Sequence, residues 1–231
     1  MDAQEIITQI AGAEKKTPAK VYLKCRTPLT FPHAKVFGCG GDMIVIGDYA
    51  DIEPVLTAHR EEIIECEWEI SCRNSALPLL DLKDVMARIE PGAIIRSPVQ
   101  IGTGAIIMMG VIINVGAKIG EETMIDMGAV IGGRAIVGKR CHIGAGAVLA
   151  GVIEPPSAES VIVEDDVMIG ANAVVIEGIH IGRGAIIAAG AIVIDDVAPN
   201  MLVAGMPAKI VKKKDAHTAE KTMTVAALRQ I

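Results

Sequence analysis

An aliphatic residue returns at every sixth position through most of the chain, and no other feature constrains its fold so tightly. From Ile89 the step lands on Ile95, Ile101, Ile107, Ile113, Ile119, Ile125, Ile131, Val137, Ile143 and Leu149. A second run from Val163 takes in Ile169, Val175, Ile181, Ile187 and Val193. Six is neither the period of an amphipathic helix nor that of a strand. It suits a solenoid in which each hexad forms one side of a triangular coil, with strands stacked about 4.8 Å apart. Seventeen hexads then make between five and six coils. The fourth residue after each aliphatic one is also small or β-branched, from Ala93 through Thr123, Cys141 and Ala147 to Val197, and should point inward too. The residue directly after the aliphatic one is often glycine, as at Gly102, Gly120, Gly132, Gly138, Gly144, Gly170 and Gly182. Glycine there suits either a positive φ or a close backbone approach.

Composition fits this reading. All five aromatic residues (Tyr22, Phe31, Phe37, Tyr49, Trp68) precede residue 70, so the repeat must fill its core without rings. Stacked columns of identical aliphatic residues do so. The step from Leu149 to Val163 is 14 residues, two more than two hexads. Something is therefore inserted, and "EPPSAES" (154–160) is the loop.

The flanks read differently. "AQEIITQIAGAEK" places Ile6, Ile7, Ile10 and Ala11 on one helical face, with Asp2 as its cap. "KVYLKC" and "DMIVIGD" read as strands, "DIEPVLTAHREE" as a helix with Pro54 in its first turn, and "IIECEWEISC" as a half-exposed strand. "GCGG" (38–41) reads as a turn rather than a phosphate cradle. In the tail, Met223, Ala226, Ala227 and Ile231 have helical spacing and should dock as a helix. The expected organisation is a small α/β domain over 1–80, the repeat over 81–210 with its loop near 154–161, and a helical tail over 211–231.

Several function classes are disfavoured. A net charge of −6 and a pI near 5.4 give no general basic footprint for nucleic acid. Five cysteines, an odd number with no CxxC pair, point to reduced thiols and a cytoplasmic location. "MDAQEIITQI" lacks a basic n-region, so no signal peptide is expected. Residues 97–117 carry no charge over 21 positions, yet Pro98, Gln100, Asn114 and four glycines interrupt them within the hexad rhythm. No membrane span is expected there.

Positions that break the pattern are the candidates for chemistry. Asp126 stands where glycine is usual, either because aspartate tolerates turns or because it works. His142 is the only histidine in the middle of the repeat and should face outward. An exposed lone histidine is often inert, but Gly144 lies one coil on from Asp126 and His142 only two residues before it. That places the two backbones about 8 Å apart. Glu154 stands where the loop leaves the scaffold, as a working group or as a solvated acid. Arg134, Lys139 and Arg140 lie near His142 in sequence, and either attract an anionic substrate or merely solubilise the surface. His33, His59, His180 and His217 read as structural or surface residues.

The repeat, followed by "VAGMPAKIVKK", resembles the hexapeptide-repeat acyltransferases. That resemblance implies a mainly β protein, a left-handed parallel β-helix with a small N-terminal α/β domain and a C-terminal helix. "RNSALPLLDLKDVMARIEPGAIIR", "INVGAKIGEETMIDMGAVIGGRAIVGKRCHIGAGAVLAGVIEPPSA" and "VIVEDDVMIGANAVV" are similar to the tetrahydrodipicolinate N-acetyltransferases within it. The implied reaction moves the acetyl group of acetyl-CoA to the amine of 2-amino-6-oxopimelate, the open form of tetrahydrodipicolinate, on the diaminopimelate route to lysine. Asp126, His142 or Glu154 is then the base, and the resemblance to succinyltransferase "MVD" segments favours Asp126, whereas a base titrating near neutrality favours histidine. Arg134, Asn114 and Arg140 would meet the dicarboxylate. Gly151, Ala171, Ala188, Ala189 and Gly190 would admit the pantetheine arm, with Lys209 and Lys212 near the phosphates. The family forms homotrimers with sites between subunits, and no metal is implied. The alternatives within the fold are a succinyl-CoA-dependent N-succinyltransferase and a sugar-nucleotide or serine acetyltransferase. A zinc enzyme of the gamma carbonic anhydrase type needs three histidines, but only His142 and His180, 38 residues apart, lie in the repeat. A non-enzymatic scaffold would not explain Asp126 or the loop after Glu154.

Overall fold

The computed structural model describes residues 2–223 and 225. Seventeen two-residue strands run from Arg88–Ile89 to Ile192–Val193, one per hexad. Each pairs in parallel with the strand three hexads on, so the chain winds through three sheets in turn. The first face holds Arg88–Ile89, Ile106–Ile107, Met124–Ile125, His142–Ile143, Met168–Ile169 and Ile186–Ile187. The second runs from Ile94–Ile95 to Ile192–Val193, and the third from Gln100–Ile101 to His180–Ile181. The aliphatic column and the small column four residues later together form one buried core.

The glycines that follow the aliphatic column serve close approach. A Cβ on Gly120 would lie 2.4 Å from the Gly138 carbonyl, and one on Gly144 would lie 2.7 Å from the Ala171 nitrogen. Positive φ falls two residues later, where Gly104 and Gly116 but also Glu122, Arg134, Arg140, Asp166 and Asn172 turn the corners. The step from Leu149 to Val163 leads from the second face directly to the third. The insertion is therefore eight residues beyond one hexad, not two beyond two. Loop 150–161 emerges from that corner.

After Val193 the strand Met201–Ala204 joins the first face, and Lys209–Lys213 pairs with it antiparallel. The helix Ala216–Lys221 follows, capped by Asp215, whose Oδ1 accepts from the Thr218 N–H at 2.8 Å. Among the described residues of the tail, these six are helical. Met223 lies beyond them and is 74% exposed, while Ala226, Ala227 and Ile231 lie outside the described residues.

Residues up to Gln9 group with the solenoid, which resumes at Pro78, and Ile10–Leu77 forms a second unit. Helix α1 (Ala3–Gly12) opens on a reciprocal capping box. The Glu5 N–H donates to Asp2 Oδ1, and the Asp2 N–H donates to Glu5 Oε2, both at 2.8 Å. Ala3 and Ile6 are its buried residues, and Ala11 is exposed. In the second unit β1 (Pro18–Cys25), β2 (Lys35–Cys39), β3 (Asp42–Asp48) and β4 (Ile63–Ile70) form an antiparallel sheet in the order β2-β3-β1-β4. Alternate residues of β1 and β3 (Ala19, Val21, Leu23, Met43, Val45) are buried with Ile52 and Leu56 of α2 (Tyr49–Ala58). "GCGG" closes the β2–β3 hairpin, with Gly38 and Gly40 at positive φ.

Candidate active site

Met124–Ile125 and His142–Ile143 are adjacent rungs of the first face, with Met124 beside His142 and Ile125 beside Ile143. The two isoleucines are buried, so alternation turns His142 and Asp126 outward. His142 is half-buried and flanked by Met124 and Met168. The Asp126 N–H donates to the Ile143 carbonyl at 2.8 Å, and its Oδ1 accepts from the Met127 N–H at 2.8 Å. Gly144 stands directly over Asp126 and offers no side chain to cover it. The two candidates are thus diagonal neighbours, about 7–8 Å apart at the backbone.

Asp126 opens the corner between the first and second faces. Successive coils place Met109, Met127, Ala145, Ala171 and Ala189 at that corner. They are linked by N–H bonds from Gly128 to Met109, Gly146 to Met127, Asn172 to Ala145 and Gly190 to Ala171. The corner side chain shrinks from methionine to alanine along the column, so Ala171, Ala188, Ala189 and Gly190 leave an open edge above Asp126.

The other candidates lie elsewhere. Asn114, Arg134, Gly151 and Glu154 cluster at the corner between the second and third faces, and Asn114 Oδ1 accepts from the Val115 N–H. Arg134 Nη1 donates to the carbonyls of Val152 and Ala158, at 3.2 Å each. Lys139 and Arg140 turn the corner between the third and first faces, so the three basic residues do not form one cluster. Arg140 grips Asp166 with two bonds, Nε to Oδ1 at 2.7 Å and Nη2 to Oδ2 at 2.9 Å. That guanidinium holds the Asp166 carboxyl below its usual range. Lys139 pairs with Glu121 at 2.8 Å. Lys212 pairs with Asp215 at 2.7 Å, and Lys209 lies 3.7 Å from Asp195. Two open clefts of about 800 and 710 Å³ lie on the N-terminal unit, and neither includes a candidate residue.

Sequence reasoning missed two features. Thr123 points inward as expected, but its hydroxyl bonds both the Cys141 N–H and the Gly138 carbonyl at the base of the rung before His142. Arg134 holds a left-handed φ of 65°. The second had a signal: an arginine after "GG" in a place that neighbouring coils fill with glycine. Among the described residues, no helix is long and apolar enough to cross a membrane.

Known proteins are similar to this chain. Residues 1–82 match the model "Tetrahydrodipicolinate succinyltransferase N-terminal", 116–151 "Bacterial transferase hexapeptide (six repeats)", and 160–194 "Hexapeptide repeat of succinyl-transferase". The 2,3,4,5-tetrahydropyridine-2,6-dicarboxylate N-acetyltransferase of Geobacillus sp. (strain WCH70) is 63% identical over the whole of this chain and 99% of its own. The chain belongs to the 2,3,4,5-tetrahydropyridine-2,6-dicarboxylate N-acetyltransferases. Family members from Lactiplantibacillus plantarum (62%, 99% of that protein) and Thermotoga maritima (60%, 98%) match it over its full length as well. Among solved structures, a histidine-to-asparagine mutant of perosamine N-acetyltransferase from Caulobacter crescentus, in complex with CoA and GDP-perosamine, aligns with a TM-score of 0.50 and 33% identity. That alignment covers 56% of this chain and 58% of the other, so it bears on part of each molecule.

Proposed function

We propose that this chain transfers the acetyl group of acetyl-CoA to the amine of 2-amino-6-oxopimelate, the open form of tetrahydrodipicolinate. Full-length identity of 60–63% to N-acetyltransferases carrying that name is the observation that carries the reading. The CoA held by the perosamine enzyme supports a CoA thioester as donor on this fold. His142 takes a proton from the attacking amine, an imidazole being suited to a base at neutral pH. The amine nitrogen bonds to the thioester carbonyl carbon, the C–S bond breaks, and CoA leaves as a thiolate that accepts the proton. The Ala145 N–H, at the corner after His142, faces the oxyanion, since the N–H groups of Gly144, Gly146 and Ala147 are used within the coil. Asp126 orients the amine. Asn114 is the candidate for the dicarboxylate, because Arg140 is already held by Asp166 and Arg134 by the Val152 and Ala158 carbonyls. The pantetheine arm runs along the small-residue edge of Ala171, Ala188, Ala189 and Gly190. The reaction is placed in the cytoplasm.

Two edges of one prism hold the candidate groups, and they border the same second face. Its outward column is Ile94, Ile112, Val130, Val148, Val174 and Ile192, with Ile94 50% and Ile112 43% exposed. An apolar face of this size favours burial against other copies. With that face turned to a threefold axis, the Asp126 edge of each copy meets the Glu154 edge of the next, a heterologous contact that closes into a ring. We therefore propose a homotrimer whose sites combine His142 and Asp126 of one copy with the Glu154 loop of its neighbour.

The test is free-thiol release with tetrahydrodipicolinate and either acetyl-CoA or succinyl-CoA. Turnover at least tenfold faster with acetyl-CoA is the expected result. Preference for succinyl-CoA would reassign the donor, and no thiol release with either would overturn the reading.

A further inference from the structure

We propose that Gly132, Gly133 and Arg134 form a platform that fixes the inserted loop, making Arg134 the positioning residue for Glu154. The proposal rests on the reading of the site given above. The first two residues bring the loop backbone into contact with the coil. A Cβ on Gly132 would lie 2.0 Å from the Gly151 nitrogen, and one on Gly151 would lie 2.2 Å from the Gly133 nitrogen. The missing side chain of Gly151 is therefore accounted for by this chain's own packing. The Val152 N–H donates to the Gly133 carbonyl at 3.3 Å, Val152 is buried, and the Ile153 side chain lies over Gly133.

Arg134 then closes the far side. Its Nη1 bonds to the Val152 carbonyl before Glu154 and the Ala158 carbonyl after it, so Glu154 lies on a short chord with both ends tied. Within the chord the Ala158 N–H donates to the Pro155 carbonyl at 3.0 Å. The arginine stem is packed in turn: a methyl on Gly116, one coil below, would meet Arg134 Cγ at 3.3 Å and Ile6 Cδ1 at 2.9 Å. An arginine at φ 65° is conformationally costly where asparagine or glycine is usual. Its place there is explained by one terminal nitrogen, Nη1, that donates to both carbonyls from a planar guanidinium, a geometry that a lysine ammonium on a flexible stem holds less firmly. Neither contact is with a carboxylate, so the clamp does not depend on ion pairing.

The experiment compares the full-length protein with Arg134→Asn, Arg134→Lys and Gly132→Ala. Asparagine tolerates the left-handed corner, so the first variant removes the clamp and keeps the turn. Each is exposed to a protease of broad specificity, with cuts within 150–161 mapped by mass, and its thiol-release kinetics are measured. Arg134→Asn should be cut in this loop at least tenfold faster and lose at least tenfold in kcat, with KM for the dicarboxylate changed less than threefold. Arg134→Lys should recover part of both, and Gly132→Ala should reproduce both losses. An unchanged cutting rate with KM raised tenfold at constant kcat would make Arg134 a carboxylate ligand and overturn the proposal. Faster cutting with unchanged kcat would overturn the positioning role. If the wild type transfers no acetyl group, the functional reading fails, whereas the cutting rates still decide whether the clamp exists.

Discussion

The Thr123 hydroxyl stands inside a corner turn. In neighbouring coils the small inward residue donates its N–H to the carbonyl three residues back, as Ala147 does to Gly144 and Ala129 to Asp126. At Cys141 that bond is replaced by a relay. The Cys141 N–H donates to Thr123 Oγ1 at 2.9 Å, and Thr123 Oγ1 donates to the Gly138 carbonyl at 2.7 Å. Thr123→Val keeps the shape and strands both backbone groups in a dry interior, a loss of about 1–3 kcal/mol. Urea unfolding should read it, with Thr123→Ser recovering most of the loss; equal stability of the valine variant would contradict the relay. Cys141 itself is sealed, and burial pushes its thiol up to about 11. A group raised that far is protonated at pH 8 and inert as a nucleophile. Native protein should therefore expose Cys39, Cys66 and Cys72 to a disulfide reagent, with Cys25 and Cys141 reacting only on unfolding. Burial raises the Cys66 thiol too, which should make it the slowest of the exposed three.

At the scale of the element, rungs and corners differ in how far they are legible. Aliphatic side chains have one reason to recur every six residues, so all seventeen strands follow from the pattern. The corners accept glycine, asparagine, aspartate, glutamate and arginine alike, and this variety hides the left-handed column. It also hid the sorting of charge. Arg134 and Arg140 are six residues apart, one full side of the prism, and they turn different corners. Asp126 and His142, sixteen residues apart, share one face. The edge strand β2 is short and exposed along its length, so it left no alternation to find. For the candidate site, the sequence offered candidate residues but not their division between two edges, since that depends on which face the insertion leaves. At the corner of Arg140, Asp166 has a folded-state pKa below its unfolded value. Its stabilising effect is present above the ordinary carboxylate range and is lost as pH falls through the lowered value. Asp166→Asn should therefore flatten the acid limb of the stability profile while changing stability little in the protonated range. An unaltered acid limb would mean the pair contributes nothing.

At the scale of the whole molecule, the apolar second face and its two bordering edges make a single prediction. A charge at the middle of that face, as in Val130→Glu, should convert the proposed trimer to a monomer in light scattering and abolish turnover, while the far-ultraviolet signature of the coils persists. A wild-type protein that runs as a monomer would remove the shared site. Single substitutions come next: His142→Asn should lower kcat by about 10²–10⁴, the range for loss of a general base, and Glu154→Gln should lower it by about tenfold or more. The most direct measurement combines these two impaired variants by co-expression in equal amounts. In the proposed ring each site would take His142 from one copy and Glu154 from the next, so about a quarter of the interfaces in a random mixture would be intact on both sides. The account predicts thiol release near one quarter of the wild-type rate; a mixture no faster than the mean of its two parents would contradict it.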